Sequence, residues 1–109
     1  MRDAAPTPAL LAVIARRFRA LADPARLLVL HALEVGERSV SSVCAETGLA
    51  QGTVSKHLQV LHQHGFVGRR REGQFVYYRL ADADALQLCE LMCDRLSAEL
   101  AGARRALSA

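Results

Sequence analysis

The stretch SVSSVCAETGLAQGTVSKHLQVLHQHG, residues 39–65, decides the fold. Its first part, Val40–Thr47, predicts a short helix that ends at Gly48, because glycine readily takes the left-handed conformation of a tight turn. After two more residues a second helix is predicted to begin near Gln51. Two short helices joined by a turn that contains glycine are typical of a helix-turn-helix.

The second of these helices has two different faces. Val54, Leu58 and Leu61 recur at i, i+4 and i+7, which predicts an apolar stripe that packs on the core. The other face carries side chains that form hydrogen bonds, and such a face can meet base edges and phosphates in a DNA major groove. Those side chains are Gln51, Thr53, Ser55, Lys56, Gln59 and Gln63.

Directly after this helix the apolar period changes. The segment FVGRRREGQFVYYRL, residues 66–80, predicts strands at Phe66–Arg71 and Gln74–Leu80 around a two-residue turn, Glu72-Gly73. A hairpin rich in arginine that follows a helix-turn-helix is typical of a wing. The sequence therefore predicts a winged helix.

Further helices are expected on both sides of this unit. One begins at Pro8, and Asp23-Pro24 supplies a cap and a first helical residue for the next. A last helix is predicted from about Asp82 to Ala103. We interpret residues 1–7 as a flexible N-terminal arm and residues 8–109 as one domain. The predicted fold is mainly α (α+β), a winged helix-turn-helix in the order α-α-α-α-β-β-α.

Composition and charge favour one globular domain that binds a polyanion. The 109 residues are 51% hydrophobic and 23% charged, as in ordinary globular proteins. Residues 51–80 carry five basic side chains against Glu72 alone, so the positive charge is concentrated in one block. The longest apolar run, residues 9–15, is too short to span a bilayer, and it fits a secretory signal poorly because no basic segment stands ahead of it and Arg16 and Arg17 follow it. We therefore expect a cytoplasmic protein without a membrane partner.

Three segments, taken together, resemble the ArsR/SmtB family of bacterial winged-helix repressors. They are FRALADPARLLVLHAL (residues 18–33), GLAQGTVSKHLQVLHQHGFV (48–67) and RRREGQFVYYRL (69–80). The resemblance implies a homodimer built through the first and last helices. It also implies that this dimer represses transcription from a double-stranded operator, expected to be an inverted repeat, and leaves it when an inducer binds.

The expected DNA contacts follow from the helix-turn-helix and the wing. Lys56 and the wing arginines are predicted to bind phosphates, while Gln51, Thr53 and Ser55 contribute to base reading. His57 either touches phosphate or packs at the helix edge. A winged helix that serves only protein interaction is the alternative, which the concentrated charge disfavours. The full predicted set is Gln51, Thr53, Ser55, Lys56, His57, Gln59, Arg69, Arg70, Arg71 and Gln74.

The odd count of three cysteines indicates free thiols in a reducing compartment. Cys89 and Cys93 are spaced i, i+4, which places their Cβ atoms about 5–6 Å apart on one helix face. Metal–sulfur bonds of about 2.3 Å can span such a gap, so the two thiolates could hold one soft ion. With Cys44 or a partner's thiol as a third ligand, the trigonal site suits As(III), Sb(III), Pb(II) or Hg(II), and a tetrahedral completion suits Cd(II) or Zn(II).

Packing is the competing interpretation of these thiols. Leu86, Cys89, Cys93, Leu96 and Leu100 step by three and four residues and form an uninterrupted helix seam. The alternatives therefore include a redox or reactive-sulfur sensor that uses the same thiols, and a repressor without a cysteine-dependent inducer. We do not expect the protein to be an enzyme, because a cysteine nucleophile needs a positioned base and the sequence does not indicate a Cys-His pair.

The inducer sites that the resemblance would imply are incomplete. Ser39 and Ser41 occupy positions where arsenite sensors have thiolates, and a hydroxyl is a poor ligand for soft ions. Arg95 brings a positive charge to a ligand position of the zinc site in the last helix. His31 and Ser97 occupy the positions nearest to the cysteine pair of persulfide sensors. Any thiol sensor here must therefore use a different ligand set.

Overall fold

The structure is a computed structural model that describes residues 5–108. Its elements follow the order α-α-β-α-α-β-β-α. They are α1 (Pro8–Leu21), α2 (Pro24–Ala32), β1 (Arg38–Ser39), α3 (Val40–Thr47), α4 (Gln51–Gln63), β2 (Val67–Glu72), β3 (Phe75–Leu80) and α5 (Asp84–Ser108). Part of the predicted N-terminal arm, residues 1–4, lies outside the described residues, and residues 5–7 have no regular secondary structure.

The helix ends follow the capping signals in the sequence. Thr7 Oγ1 accepts a hydrogen bond from the backbone N–H of Leu10 at 3.1 Å and caps α1. Asp23 Oδ1 does the same for the N–H of Arg26 at 3.1 Å and caps α2. Gly48 ends α3 with φ of 75°, the left-handed conformation that the turn of the helix-turn-helix requires. The predicted helix-turn-helix is therefore confirmed.

The wing is part of a three-stranded antiparallel sheet with the order β1-β3-β2. The short strand β1 was not predicted, because a two-residue strand carries no alternation of its own and depends on pairing with Tyr77 and Tyr78 of β3. The predicted hairpin turn was wrong by one residue. Glu72 pairs with Phe75, so the turn is Gly73-Gln74, and Gly73 takes the positive φ of 61° at its first position.

The core lies between α2, α3, α4 and the sheet. Its fully buried side chains include Val29, Leu30, Leu33, Val43, Val54, Leu58 and Leu61. The predicted apolar stripe of α4 is thus confirmed. Of the α5 side chains that the structure describes, Ala85 and Leu86 in the first turn join this core.

Helix α5 begins two residues later and ends later than predicted. Asp82 lies before the helix and accepts a hydrogen bond from the N–H of Asp84 at 3.0 Å. Beyond the first turn its apolar side chains are exposed, as are several of α1. We call these residues the α1/α5 apolar face: Leu10, Leu11, Val13, Phe18, Leu88, Leu91, Met92, Leu96 and Leu100. No helix within residues 5–108 has the length and hydropathy needed to cross a membrane.

Candidate functional site

Helix α4 presents one polar face to solvent. Gln51, Thr53, Lys56 and Gln59 are exposed and Ser55 is half-buried, while the stripe on the opposite side is fully buried. No side chain among the described residues caps the N-terminus of α4, which follows Ala50. Its first-turn N–H groups are therefore open to an anion such as a phosphate.

His57 does not belong to this exposed face. Its side chain is buried, with 8% of the residue surface exposed. The guanidinium of Arg26 on α2 donates from Nε to His57 Nδ1 at 3.2 Å, and Asp23 Oδ1 lies 4.0 Å from Nε2. The backbone N–H of Arg26, more than the nearby His57, holds the pKa of Asp23 below its ordinary value. His57 thus occupies the packing position considered for it, and not a phosphate-contacting one.

The three wing arginines of β2 are exposed but differ in their partners. Arg70 bonds to the Glu37 carboxylate at 2.7 Å and to Glu72 at 2.7 Å, and it stacks over the ring of Tyr77 at 4.7 Å. The hydrogen bond from Arg70 holds the pKa of Glu37 below its ordinary value. Within the described part of the chain, Arg69 and Arg71 take part in no ion pair. The charges of these two arginines are therefore available to DNA, while that of Arg70 is balanced within the protein.

Two surface grooves separate α4 from the wing. Gln59 lines one of about 400 Å³ together with the wing arginines, Val76 and Tyr78. Gln51 lines another of about 340 Å³ together with Gln74 at the hairpin turn. The structure therefore brings Gln59 beside the wing arginines and Gln51 beside Gln74, whereas Thr53, Ser55 and Lys56 line neither groove.

The three cysteines are free and occupy two separate places. Cys44 on α3 is half-buried and packs against the core. On α5, Cys89 is half-buried and Cys93 is exposed, and both line a groove of about 410 Å³ between α2 and α5. We call it the α2/α5 groove, and its other polar lining residues are His31, Glu34, Gln87 and Glu90.

The predicted set of Cys44, Cys89 and Cys93 is not assembled within one protomer. No three His, Cys, Asp or Glu side chains of the described residues are close enough to hold a metal ion. The reason is that α3 packs on α2 and α4, while the thiols of α5 lie beyond the core. The helix seam also leaves the core after Leu86, so Cys93 is not a core residue of the single chain.

The sequence did not predict the side chains that form hydrogen bonds between elements far apart in the chain. Arg26 reaches α4 from α2, over a separation of 31 residues. Arg17 of α1 donates to the carbonyl oxygen of His64 at 2.7 Å and stacks over Phe66 at 4.4 Å. No local spacing signals these contacts, because each joins residues far apart in the chain.

Comparison with known proteins gives consistent matches. The family model of the bacterial regulatory protein arsR family matches residues 23–68. The chain is 43% identical over 84 residues to the HTH-type transcriptional regulator Rv0324 of Mycobacterium tuberculosis. This match covers 77% of this chain and 37% of that protein. It is 40% identical over 77 residues to a probable mercury resistance operon repressor of Streptomyces lividans. This match covers 71% of this chain and 62% of that protein. The match thus spans less than two thirds of either relative.

A solved structure extends the likeness over almost the whole chain. It is the homodimeric winged helix-turn-helix DNA-binding domain, fragment 1–100, of Mb0332 from Mycobacterium bovis, described as a possible ArsR-family transcriptional regulator. The TM-score is 0.74 at 38% sequence identity, and the alignment covers 92% of this chain and 94% of that one.

Proposed function

Because the chain belongs to the ArsR family of bacterial regulatory proteins, we propose that it is a homodimeric repressor that binds an operator and is released by an inducer. The observation that carries the proposal is the exposed polar face of α4 beside the unpaired arginines of the wing. The family and the matched relatives are transcriptional regulators and not enzymes, in agreement with the sequence prediction.

The proposed division of roles on DNA follows from exposure and charge. Gln51 and Thr53 at the start of α4 read base edges, since a recognition helix enters the major groove by its N-terminal turn. Lys56, Arg69 and Arg71 bind phosphates and supply affinity that depends on salt but not on sequence. In a twofold symmetric dimer, two such surfaces would read an inverted repeat.

The proposed inducer is a thiophilic metal or metalloid ion bound through Cys89 and Cys93. Both thiols are accessible from one groove, and one relative is named as a probable mercury resistance operon repressor. The candidate ions are As(III), Sb(III), Cd(II), Pb(II), Zn(II) and Hg(II), all of which thiolates bind. Because Cys93 is exposed, a redox or reactive-sulfur signal at the same thiols is the second candidate.

The test is operator release measured by fluorescence anisotropy with fully reduced protein. A duplex selected from a random library serves as the operator, and each ion and then a persulfide donor is titrated into the complex. We expect one ligand, at stoichiometric amounts, to release the wild-type protein from the operator. The same ligand should leave the Cys89→Ser/Cys93→Ser variant bound to the operator. Absence of salt-dependent affinity for any duplex would refute DNA binding. Release that persists in the double variant would refute sensing by these cysteines.

A further inference from the structure

We infer that His31 is the third ligand of the cysteine site, so that a soft divalent cation binds within one protomer in the α2/α5 groove. The ligands are His31 Nε2 and the thiolates of Cys89 and Cys93. This inference rests on the proposed function and names the ligand set and ligand class of the same site. It replaces Cys44, which the fold places on α3 and against the core.

The hydrogen bonding of His31 prepares its ring for a metal ion. His31 is exposed, and its Nδ1 lies 2.8 Å from the carbonyl oxygen of Leu27. A carbonyl can only accept, so Nδ1 carries the proton and the neutral ring keeps its lone pair on Nε2. Histidine ligands of metals commonly donate their other ring N–H to a backbone carbonyl in this way, which fixes the tautomer and the ring orientation.

The charges around the groove favour a cation. Glu34, in the turn after α2, and Glu90 from α5 line it, and no lysine or arginine is among the described residues that do. Their carboxylates lower the electrostatic cost of a bound positive ion and either one could serve as a fourth ligand. A set of two thiolates, one imidazole and one oxygen suits four-coordinate Cd(II), Zn(II) or Hg(II).

The ligands line the groove without converging on one point, because no metal-binding cluster of three is formed by the described residues. Cys89 and Cys93 share one helix face, and the exposed Cys93 side chain can change rotamer while His31 keeps its bond to the carbonyl of Leu27. Binding therefore draws α2 and α5 together. Helix α2 also carries Arg26, which bonds to His57 of α4, so an ion that moves α2 acts directly on the recognition helix.

The test is a Cd(II) titration of the reduced protein in competition with a chelator, followed by thiolate-to-metal charge-transfer absorption. The variants are His31→Gln and Cys44→Ser, with His62→Gln on α4 as the matched control. We expect His31→Gln to weaken Cd(II) binding by at least about tenfold, and the other two variants to retain wild-type affinity. Thermal melting without metal verifies that each variant is folded.

A second measurement is made on the wild-type protein and needs no substitution. Nitrogen-15 NMR of the histidine side chains should show that Cd(II) shifts the Nε2 resonance of His31 and leaves those of His62 and His64 in place. Charge-transfer absorption with an unchanged His31 resonance and undiminished affinity in His31→Gln would overturn this inference and leave cysteine sensing intact. Absence of charge-transfer absorption in the wild type would overturn both the inference and the metal form of the proposed function.

Discussion

At the scale of single residues, Lys56 and Gln51 lie on the same exposed face of α4, but substitutions at these two positions should affect DNA binding differently. Lys56→Ala is expected to weaken binding to every duplex by a similar factor and to reduce the salt slope by about one, because one phosphate contact is lost. Gln51→Ala is expected to cost about 1–3 kcal/mol on the cognate operator only, because a base contact is lost. Anisotropy on cognate and scrambled duplexes at several salt concentrations measures both. Equal losses on the two duplexes for both variants would contradict this division.

Glu37 is expected to limit how strongly the wing binds DNA. Its carboxylate holds Arg70 at 2.7 Å, so this arginine must exchange partners before it can bind a phosphate. Glu37→Gln should therefore raise affinity for all duplexes at pH 7 by roughly two- to tenfold and steepen the salt dependence. Glu46→Gln, which removes the partner of Arg38 and leaves Arg70 paired, is the matched control. No gain over this control would refute the expectation that Glu37 limits how strongly the wing binds DNA.

The same pair has a defined pH dependence. Because Arg70 lowers the pKa of Glu37 from its ordinary value of 4.5, the pair stabilises the fold above that value and this contribution disappears as pH falls through the lowered pKa. In thermal melting, the wild type should therefore have a higher melting temperature than Glu37→Gln at pH 7. At pH values below the lowered pKa of Glu37, the two melting temperatures should be alike. A difference that grows on acidification would contradict the assigned sign.

At the scale of elements, the stripe of α4 holds the recognition helix on the core. Leu58 is fully buried, so Leu58→Ala leaves a cavity and is expected to cost about 2–5 kcal/mol in the free energy of unfolding. Gln59→Ala, at the next position on the exposed side, should change stability by less than about 0.5 kcal/mol. Denaturant unfolding followed by circular dichroism measures both values. A loss below about 1 kcal/mol for Leu58→Ala would mean that α4 is not anchored by this stripe.

At the scale of the whole molecule, the described chain measures 58 × 43 × 21 Å. The side chains of its α1/α5 apolar face are exposed to solvent in the single chain. An apolar surface of this kind marks an interface, and a homodimeric relative has the same fold. Leu96→Glu should therefore weaken the dimer by at least about tenfold, because it buries a charge in the contact. Glu99→Gln is the matched control on the same helix. Analytical ultracentrifugation measures both, and an unchanged dimer in Leu96→Glu would refute an interface at this position.

The sequence alone determined the helix-turn-helix, the wing, the start of α2, the end of α3 and the free thiols. Each of these depends on residues within a few positions of one another, such as the spacing of Val54, Leu58 and Leu61 or the pair Asp23-Pro24. Local backbone geometry converts such spacings into helix faces and turns, so the order of residues is sufficient to predict them. The position of Cys89 and Cys93 on one helix face was accessible for the same reason.

Only the tertiary structure decided which of these side chains remain available for binding. It buried His57 beneath Arg26, paired Arg70 with Glu37, and brought His31 of α2 to the groove that holds the thiols of α5. Strand β1 likewise exists only through its pairing with β3. These contacts join residues more than 30 positions apart, and their distances are set by how the helices and the sheet pack. Packing is a property of the folded chain as a whole, which is why no local pattern contains it.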